Sequence, residues 1–440
     1  MTGAAAMAPG STPAPPSGHN LAVLRGFVFA LFFIFGGITS LNDVLIPKLK
    51  ELFTLSYAEA MLVQSAFFLA YFTISIPGAS LVQRIGYMRT GAAGLLVMML
   101  GCLGFIPASH SALFVAFLAA LFVLAAGITI VQVVANPLIS MLGPPATAHS
   151  RLTFAQAFNS LGTTVFPYVG SRLILGSLSH VDPRSLSGAA LVAYRAQETR
   201  VIGLAYLGLA IALAAVAYAV FRARNRLAER PARSGGLAAM AGLLKRRRLA
   251  FGAACIFLYV GAEVAVGSLI VNYLMQPKIM GLGAVAAGEH VPFYWGGALV
   301  GRFIGAGLLR RFNPGKVLAA FASGAILMLL LSGAGSGAWA GWALLLVGFC
   351  NSLMFPTIFS LACEGLGEKA AGASGIICVA IVGGAVVPLL TGRLADLVGL
   401  QLALIVPAVC YAMILVFGLY ARRPAEPLAV EAEELAPAVA

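Results

Sequence analysis

Three ionisable side chains stand inside long apolar runs of this 440-residue chain: Asp43, Glu263 and Arg302. An ionisable group inside a membrane-spanning helix costs about 2.5–3.5 kcal/mol or more, so each is a functional candidate by default. Asp43 sits in Ser40-Leu41-Asn42-Asp43, towards the outer end of its run; an interfacial structural carboxylate is the plainer reading. Glu263 follows Tyr259-Val260-Gly261-Ala262 near the middle of its run, where the plainer reading is an acid paired with a base. Arg302 lies a turn or two from the end of its run, where it can snorkel or make a structural pair. A carboxyl shielded from water holds its proton more tightly than one in water. It then gains and loses that proton near neutral pH as access alternates, which is what proton coupling needs.

Amides form the second set. Gln132 and Asn136 are spaced i, i+4, Gln156 and Asn159 i, i+3, and Asn272 and Gln276 i, i+4, so each pair shares one helix face. Gln64 and Asn351 are single. An amide both donates and accepts, which suits sugar hydroxyls; a lone membrane amide is more often helix–helix glue. Trp295 can stack on a sugar ring or anchor at an interface. No phosphate-binding G-x4-GK[ST] loop and no HExxH occurs, so neither direct ATP use nor a metal centre is expected. No nucleophile–base pair lies along one face, no cofactor is expected, and the chain does not read as an enzyme.

What must position these residues follows from composition. The chain is 60% apolar and 10% charged, with 50 glycines and a net charge of +13. Soluble domains run about 45–50% apolar and about 25% charged, so a soluble enzyme is excluded, and disorder needs the opposite composition. A bilayer core needs about 20 mainly apolar residues per helix. Twelve such segments are expected, near 24–47, 59–83, 90–108, 112–142, 153–177, 200–222, 249–276, 290–311, 315–334, 338–363, 370–397 and 399–421. The expected organisation is a tail (1–22), a six-helix bundle (23–222), a basic linker (223–248), a second six-helix bundle (249–421) and a tail (422–440). The first residues lack a basic cluster before an apolar run and do not read as a signal peptide. The six cysteines form no CxxC pair and read as small buried hydrophobes.

With both termini inside, 19 Lys and Arg fall on the inner side and 8 on the outer, so by the positive-inside rule both termini are expected inside. The +13 is then an orientation signal, and no nucleic-acid partner is needed. The halves also repeat each other. Gly78-Ala79-Ser80-Leu81-x-x-Arg84 matches Gly305-Ala306-Gly307-Leu308-x-x-Arg311. Pro137-x-Ile139 matches Pro356-x-Ile358, and Gly162-x4-Pro167-x4-Arg172 matches Gly383-x4-Pro388-x4-Arg393. The fold class is therefore all-α and polytopic, twelve transmembrane helices in two pseudo-symmetric six-helix bundles, a recurring plan of secondary transporters.

The segments Leu41-Asn42-Asp43-Val44-Leu45-Ile46-Pro47, Ala135-Asn136-Pro137, Arg151 through Gly162, Phe355 through Leu361 and Gly383 through Pro388 carry a family likeness. The chain resembles the major facilitator superfamily, in its fucose/galactose/glucose:proton symporter group, over nearly its whole length. The resemblance implies alternating access, proton-coupled monosaccharide uptake at a bacterial inner membrane, and Asp43 in the place of the group's coupling aspartate. Fucose permease has a glutamate where this chain has Gln132, which cannot exchange a proton near neutral pH. Glu263 stands where that permease has an amide and where glucose/galactose-type members have an acid. The acidic function is thus expected to have moved to the seventh span. The loop after helix two reads Gln83-Arg84-Ile85-Gly86, without the usual aspartate, so a gate built from Arg84, Gly86, Arg89, Arg302 and Arg311 is expected to differ. The leading reading is a monomeric proton:hexose or amino-hexose symporter, for glucose, galactose or N-acetylglucosamine ahead of fucose. A sodium symporter, a uniporter, a drug/proton antiporter, a non-transporting sugar sensor and a membrane-embedded enzyme stay open as alternatives.

Overall fold

The structure is a computed structural model that describes residues 18–55, 57–111, 113–170, 186–226 and 241–425. A bilayer core offers no water to free N–H and C=O groups, so a spanning chain must satisfy its backbone within helices. In the first half these are α1 (Gly18–Leu52), α2 (Tyr57–Ile85), α3 (Tyr87–Ser111), α4 (Phe114–Met141), α5 (Ala148–Gly170) and α6 (Gly188–Arg222). The second half has α7 (Arg247–Met275), α8 (Ala284–Arg311) and α9 (Pro314–Ala334). It ends in three broken helices: α10a (Ala338–Asn351) with α10b (Met354–Ala362), α11a (Ala370–Ala380) with α11b (Gly383–Val398), and α12a (Leu400–Ala403) with α12b (Ile405–Tyr420).

The twelve expected spans fall on these twelve helices. The fifth is helical to Gly170, and residues 171–177 lie outside the described residues. The sixth begins well before residue 200, because its polar first turns are held: Arg195 Nε donates to Leu52 O at 2.9 Å and Thr199 to Ser109 O at 3.0 Å. Residues 227–240 of the linker and most of both tails lie outside the described residues. Among the described residues ten helices are long and apolar enough to cross a membrane on their own composition; the described parts of α5 and α8 fall short. These two carry Gln156, Asn159 and Arg302, and they pack on each other across the two halves.

Each half repeats one packing scheme. α1 packs on α5, α2 on α4 and α3 on α6, as α7 packs on α11b, α8 on α10a and α9 on α12b. The repeated glycines explain how closely. A Cβ on Gly162 would run into the Phe33 carbonyl, and one on Gly383 into the Phe257 carbonyl. Likewise Gly37 receives the Phe166 ring and Gly261 the Val387 side chain. Small residues let helix backbones approach where lipid gives no hydrophobic drive to associate. The repeat extends to an arginine that the pattern did not reveal. Arg25 Nε donates to Leu142 O at 2.8 Å, and Arg248 Nε to Leu361 O at 2.7 Å. Each guanidinium closes the carboxyl end of its half's fourth helix, where a cation is favoured.

Gly162→Val and Gly383→Val each add atoms where a backbone carbonyl already sits, an overpacking that costs about 1–3 kcal/mol. Both should lower the thermal midpoint in detergent, while Gly208→Ala, whose added methyl meets nothing, should not. Equal midpoints for all three would remove close approach as the reason for the repeated glycines.

Candidate functional site

In the second half, Glu263 lies midway along α7 and is partly buried. The Tyr259 hydroxyl, one turn before it, reaches Glu263 Oε1 at 2.7 Å and the Asn351 carbonyl at 3.1 Å. Asn351 Nδ2 donates to the Tyr294 hydroxyl at 2.8 Å, and that hydroxyl donates to the Glu263 carbonyl at 3.3 Å. Tyr259, Tyr294, Asn351 and Tyr411 are all buried around the acid. Trp295 is 42% exposed, sets its indole edge-on to Tyr294 at 5.0 Å, and packs over Gly267, one turn beyond Glu263. The expected acid, amide and tryptophan therefore meet, and three tyrosines join them.

In the first half the buried Gln132 accepts from the Tyr71 hydroxyl at 2.8 Å. Gln156 Nε2 donates to Asn136 Oδ1 at 3.5 Å, and buried Asn136 Nδ2 has no partner among the described residues. Asn159 Nδ2 donates to Phe32 O at 3.4 Å and fills the space over Gly36. Four of the predicted amides thus gather on α4 and α5. Gln64 is partly buried on α2, Asn272 is exposed, and Gln276 caps the end of α7. The structure does not bring these three into either cluster: Asn272 stands nine residues beyond Glu263, about 13 Å along the helix. Asn42 and Asp43 fall on α1, and their side chains lie outside the described residues.

The halves meet at the end of the bundle from which the linker leaves. Two prolines prepare that contact. Proline has no N–H, so it frees the carbonyl four residues earlier in its helix. Pro137 frees Val133 O, which accepts from Ser374 Oγ of α11a at 3.0 Å, across the halves. Pro356 frees Ser352 O at the break of α10, which accepts from Arg302 Nε at 3.1 Å. Arg302 Nη1 then crosses to α5, donating to Gln156 O at 3.0 Å and to Ser160 Oγ. Arg302 is therefore a bridge between halves, and the snorkelling reading does not hold.

The rest of the gate departs from expectation. Arg84 and Arg89 are exposed at the α2–α3 corner, where Gly86 turns the chain at φ 87°. Arg311 is also exposed; its neighbour Arg310 reaches across instead, donating from Nε to Ser150 Oγ at 3.2 Å. Ser150 Oγ donates to Ala306 O at 2.7 Å, and His149 Nδ1 stands 2.6 Å from Ser360 Oγ. The described seam is closed by two guanidinium groups, hydroxyls, carbonyls and one imidazole, with no carboxylate among its described residues; the described ion pair, Arg248 with Glu364, lies within the second half. Sequence reading left His149, Ser150, Ser360 and Ser374 unmarked because single hydroxyls and a histidine at a helix start carry no signal without their partners.

Two helical bundles that meet along a polar seam at one end, one holding a cluster of amides and the other a carboxylate, define a two-bundle membrane transport protein. The chain belongs to the Major Facilitator Superfamily, whose pattern it matches over residues 27–380. It is 47% identical to the glucose/galactose transporter of Brucella abortus, over 88% of this chain and 92% of that one. It is 33% identical to the L-fucose-proton symporter of Escherichia coli, over 88% and 91%. The crystal structure of a Major Facilitator Superfamily transporter, FucP, in the outward conformation superposes with a TM-score of 0.83 at 31% identity, covering 92% of this chain and 100% of that one.

His149 lies ahead of the expected fifth span. Burial, then Arg248 and Arg151, pull its pKa from 6.5 down to about 4, so it is neutral at pH 7. The unfolded chain takes up the proton near 6.5 and the closed fold only near 4. The stability this confers is complete above pH 6.5 and is lost as the pH falls towards 4. The thermal midpoint should drop between pH 6.5 and 4.5, and drop less in His149→Gln. Superimposable profiles would remove His149 from the closure.

Proposed function

We propose that this chain takes up a monosaccharide by proton symport, the two halves rocking to give alternating access. The substrate is a hexose or amino-hexose such as glucose, galactose or N-acetylglucosamine. The names of its relatives support a sugar, and one of them is a proton symporter. On this reading the protein works as a monomer in the bacterial inner membrane with both termini inside, so the closed seam is cytoplasmic and the sugar enters from the other side.

The observation that carries the reading is the surroundings of Glu263. Of the five acids with described side chains, Glu198, Glu263, Glu289, Glu364 and Asp396, it alone lies midway along a spanning helix. Tyr259 has one hydroxyl proton and two acceptors, Glu263 Oε1 and Asn351 O. An ionised carboxylate is the stronger acceptor and takes that proton. A protonated Glu263 donates instead, and Tyr259 turns its own proton to the Asn351 carbonyl. Next along the chain, Ser352 O holds Arg302, and Arg302 holds α5. Loading Glu263 thus changes the bonding at the α10 break on which the seam between halves rests. Asp43 on α1 is the second proposed proton carrier. Gln132, Asn136, Gln156 and Asn159 present donors and acceptors to sugar hydroxyls, with Asn351 and Trp295 opposite.

In proteoliposomes an imposed inward proton gradient should drive sugar accumulation. Glu263→Gln and Asp43→Asn should abolish accumulation while leaving sugar exchange at equal concentrations. Uptake indifferent to the gradient, or both variants behaving like the parent, would overturn proton coupling. Arg302→Lys keeps the charge but not the fork that reaches Ser352, Gln156 and Ser160 together. Uptake should fall by about tenfold or more, the equivalent of about 1.4 kcal/mol, while sugar still raises the thermal midpoint. No sugar in a hexose and amino-hexose panel raising that midpoint would count against the substrate class.

A further inference from the structure

On the linker side of the second half a cavity of about 580 Å³ lies between the start of α7, the chain after α10b and the end of α12b. Five arginines line it, Arg246, Arg247, Arg248, Arg422 and Arg423, against one acid, Glu364. That acid is already bound to Arg248. Arg248 is itself committed: its other N–H groups go to the carbonyls of Leu361, Ala421 and Arg423. Among the described residues the other four guanidinium groups have no carboxylate partner. The α7 amino terminus opens onto the same cavity, and its cap residue Arg246 makes no side-chain cap bond. First-turn N–H groups and the positive helix end favour an anion there. Four like charges held around one hollow repel one another unless an anion sits among them.

The wall beside the arginines is apolar and open. Leu419 is 47% exposed and Tyr420 49% exposed, on the last turn of a spanning helix. A free phosphate has no use for such a wall, whereas an acyl chain does. Basic pockets at the inner ends of membrane helices suit anionic lipid head groups. We propose that this cavity binds an anionic phospholipid, its phosphate among Arg246, Arg247, Arg422 and Arg423 and its chains along Leu419 and Tyr420. The site lies next to the seam: Arg248 holds Leu361, the residue after the Ser360 that meets His149. An occupied cavity therefore braces the α10b end of the closed face. Uptake of sugar plays no part in this inference, and its test reads lipid alone.

The full chain, purified in neutral detergent, is titrated with phosphatidylglycerol, phosphatidylcholine and inorganic phosphate. Retained lipid is counted by native mass spectrometry and the thermal midpoint is followed. Arg247→Gln/Arg423→Gln removes two guanidinium groups that make no described side-chain bond. Phosphatidylglycerol should be retained and raise the parent's midpoint by several degrees, with an affinity at least tenfold weaker in the double variant. Phosphatidylcholine should do neither. Equal retention of both lipids, or equal phosphatidylglycerol affinity in parent and variant, would overturn the proposal. So would inorganic phosphate reproducing the whole shift at low millimolar concentration. Beyond Ala425 the chain carries Glu426, Glu431, Glu433 and Glu434. If lipid is retained only after these are changed to Gln, the chain fills its own cavity and the proposal fails.

Discussion

Where the two halves touch, the structure depends on carbonyl groups that proline leaves free. A freed carbonyl in a bilayer must find another donor, because water is absent and an unpaired group costs several kcal/mol. Pro137 and Pro356 occupy matching places in the two halves, and the donors they recruit both serve the seam. Ser374 reaches Val133 O directly from the opposite half. Arg302 reaches Ser352 O within its own half through Nε and α5 of the other half through Nη1. A helix defect on each side thus becomes the socket for a contact between sides. Such contacts hold the seam without an ion pair among its described residues. Each is a neutral or singly charged hydrogen bond worth about 0.5–3 kcal/mol, which rearrangement can replace.

The same economy explains why α5 and α8 look least like membrane helices. A helix facing lipid is selected for apolarity on that face. A helix facing its counterpart across a polar seam carries Gln156, Ser160, Arg302 and Arg310, and its overall hydropathy falls. Close packing within each half supplies the rigidity that the seam lacks. Gly162 on Phe33 and Gly383 on Phe257 lock α1 to α5 and α7 to α11b by contact of backbones, with no polar group to be exchanged. Each half can then move as a body about a seam of replaceable bonds.

Much of this was legible in the sequence, for identifiable reasons. The spans follow from unbroken apolar runs, and the repeat from glycines and prolines whose types are fixed by contact distance and by the missing N–H. Glu263, Gln132, Asn136 and Gln156 stood out because polar groups in apolar runs are costly and therefore few. What escaped was the partner set. Tyr71, Tyr259, Tyr294 and Tyr411 read as ordinary apolar bulk until the fold shows where a hydroxyl ends. Arg310 against Arg311 is a matter of helix phase at a terminus, where one residue turns the side chain by about 100°. Asn272 and Gln276 share a face by spacing, yet that face lies beyond the cluster, because spacing fixes the angle around a helix and leaves the depth open.

The two halves hold one arrangement with different chemistry. In the first, a tyrosine hydroxyl donates to an amide, Tyr71 to Gln132; in the second, a tyrosine hydroxyl donates to an acid, Tyr259 to Glu263. An amide keeps the same bonding at every physiological pH, so the first pair is a fixed strut. A carboxyl changes from acceptor to donor when it takes a proton, so the second pair can reverse the direction of its hydrogen bond. That reversal is available only in the half whose α10 break holds Arg302, the residue that crosses to α5. A titratable group on α4 would sit beside the Asn136–Gln156 pair and act on the amides themselves. On α7, Glu263 instead reaches, through Tyr259, the α10 break that holds Arg302, the bridge between halves.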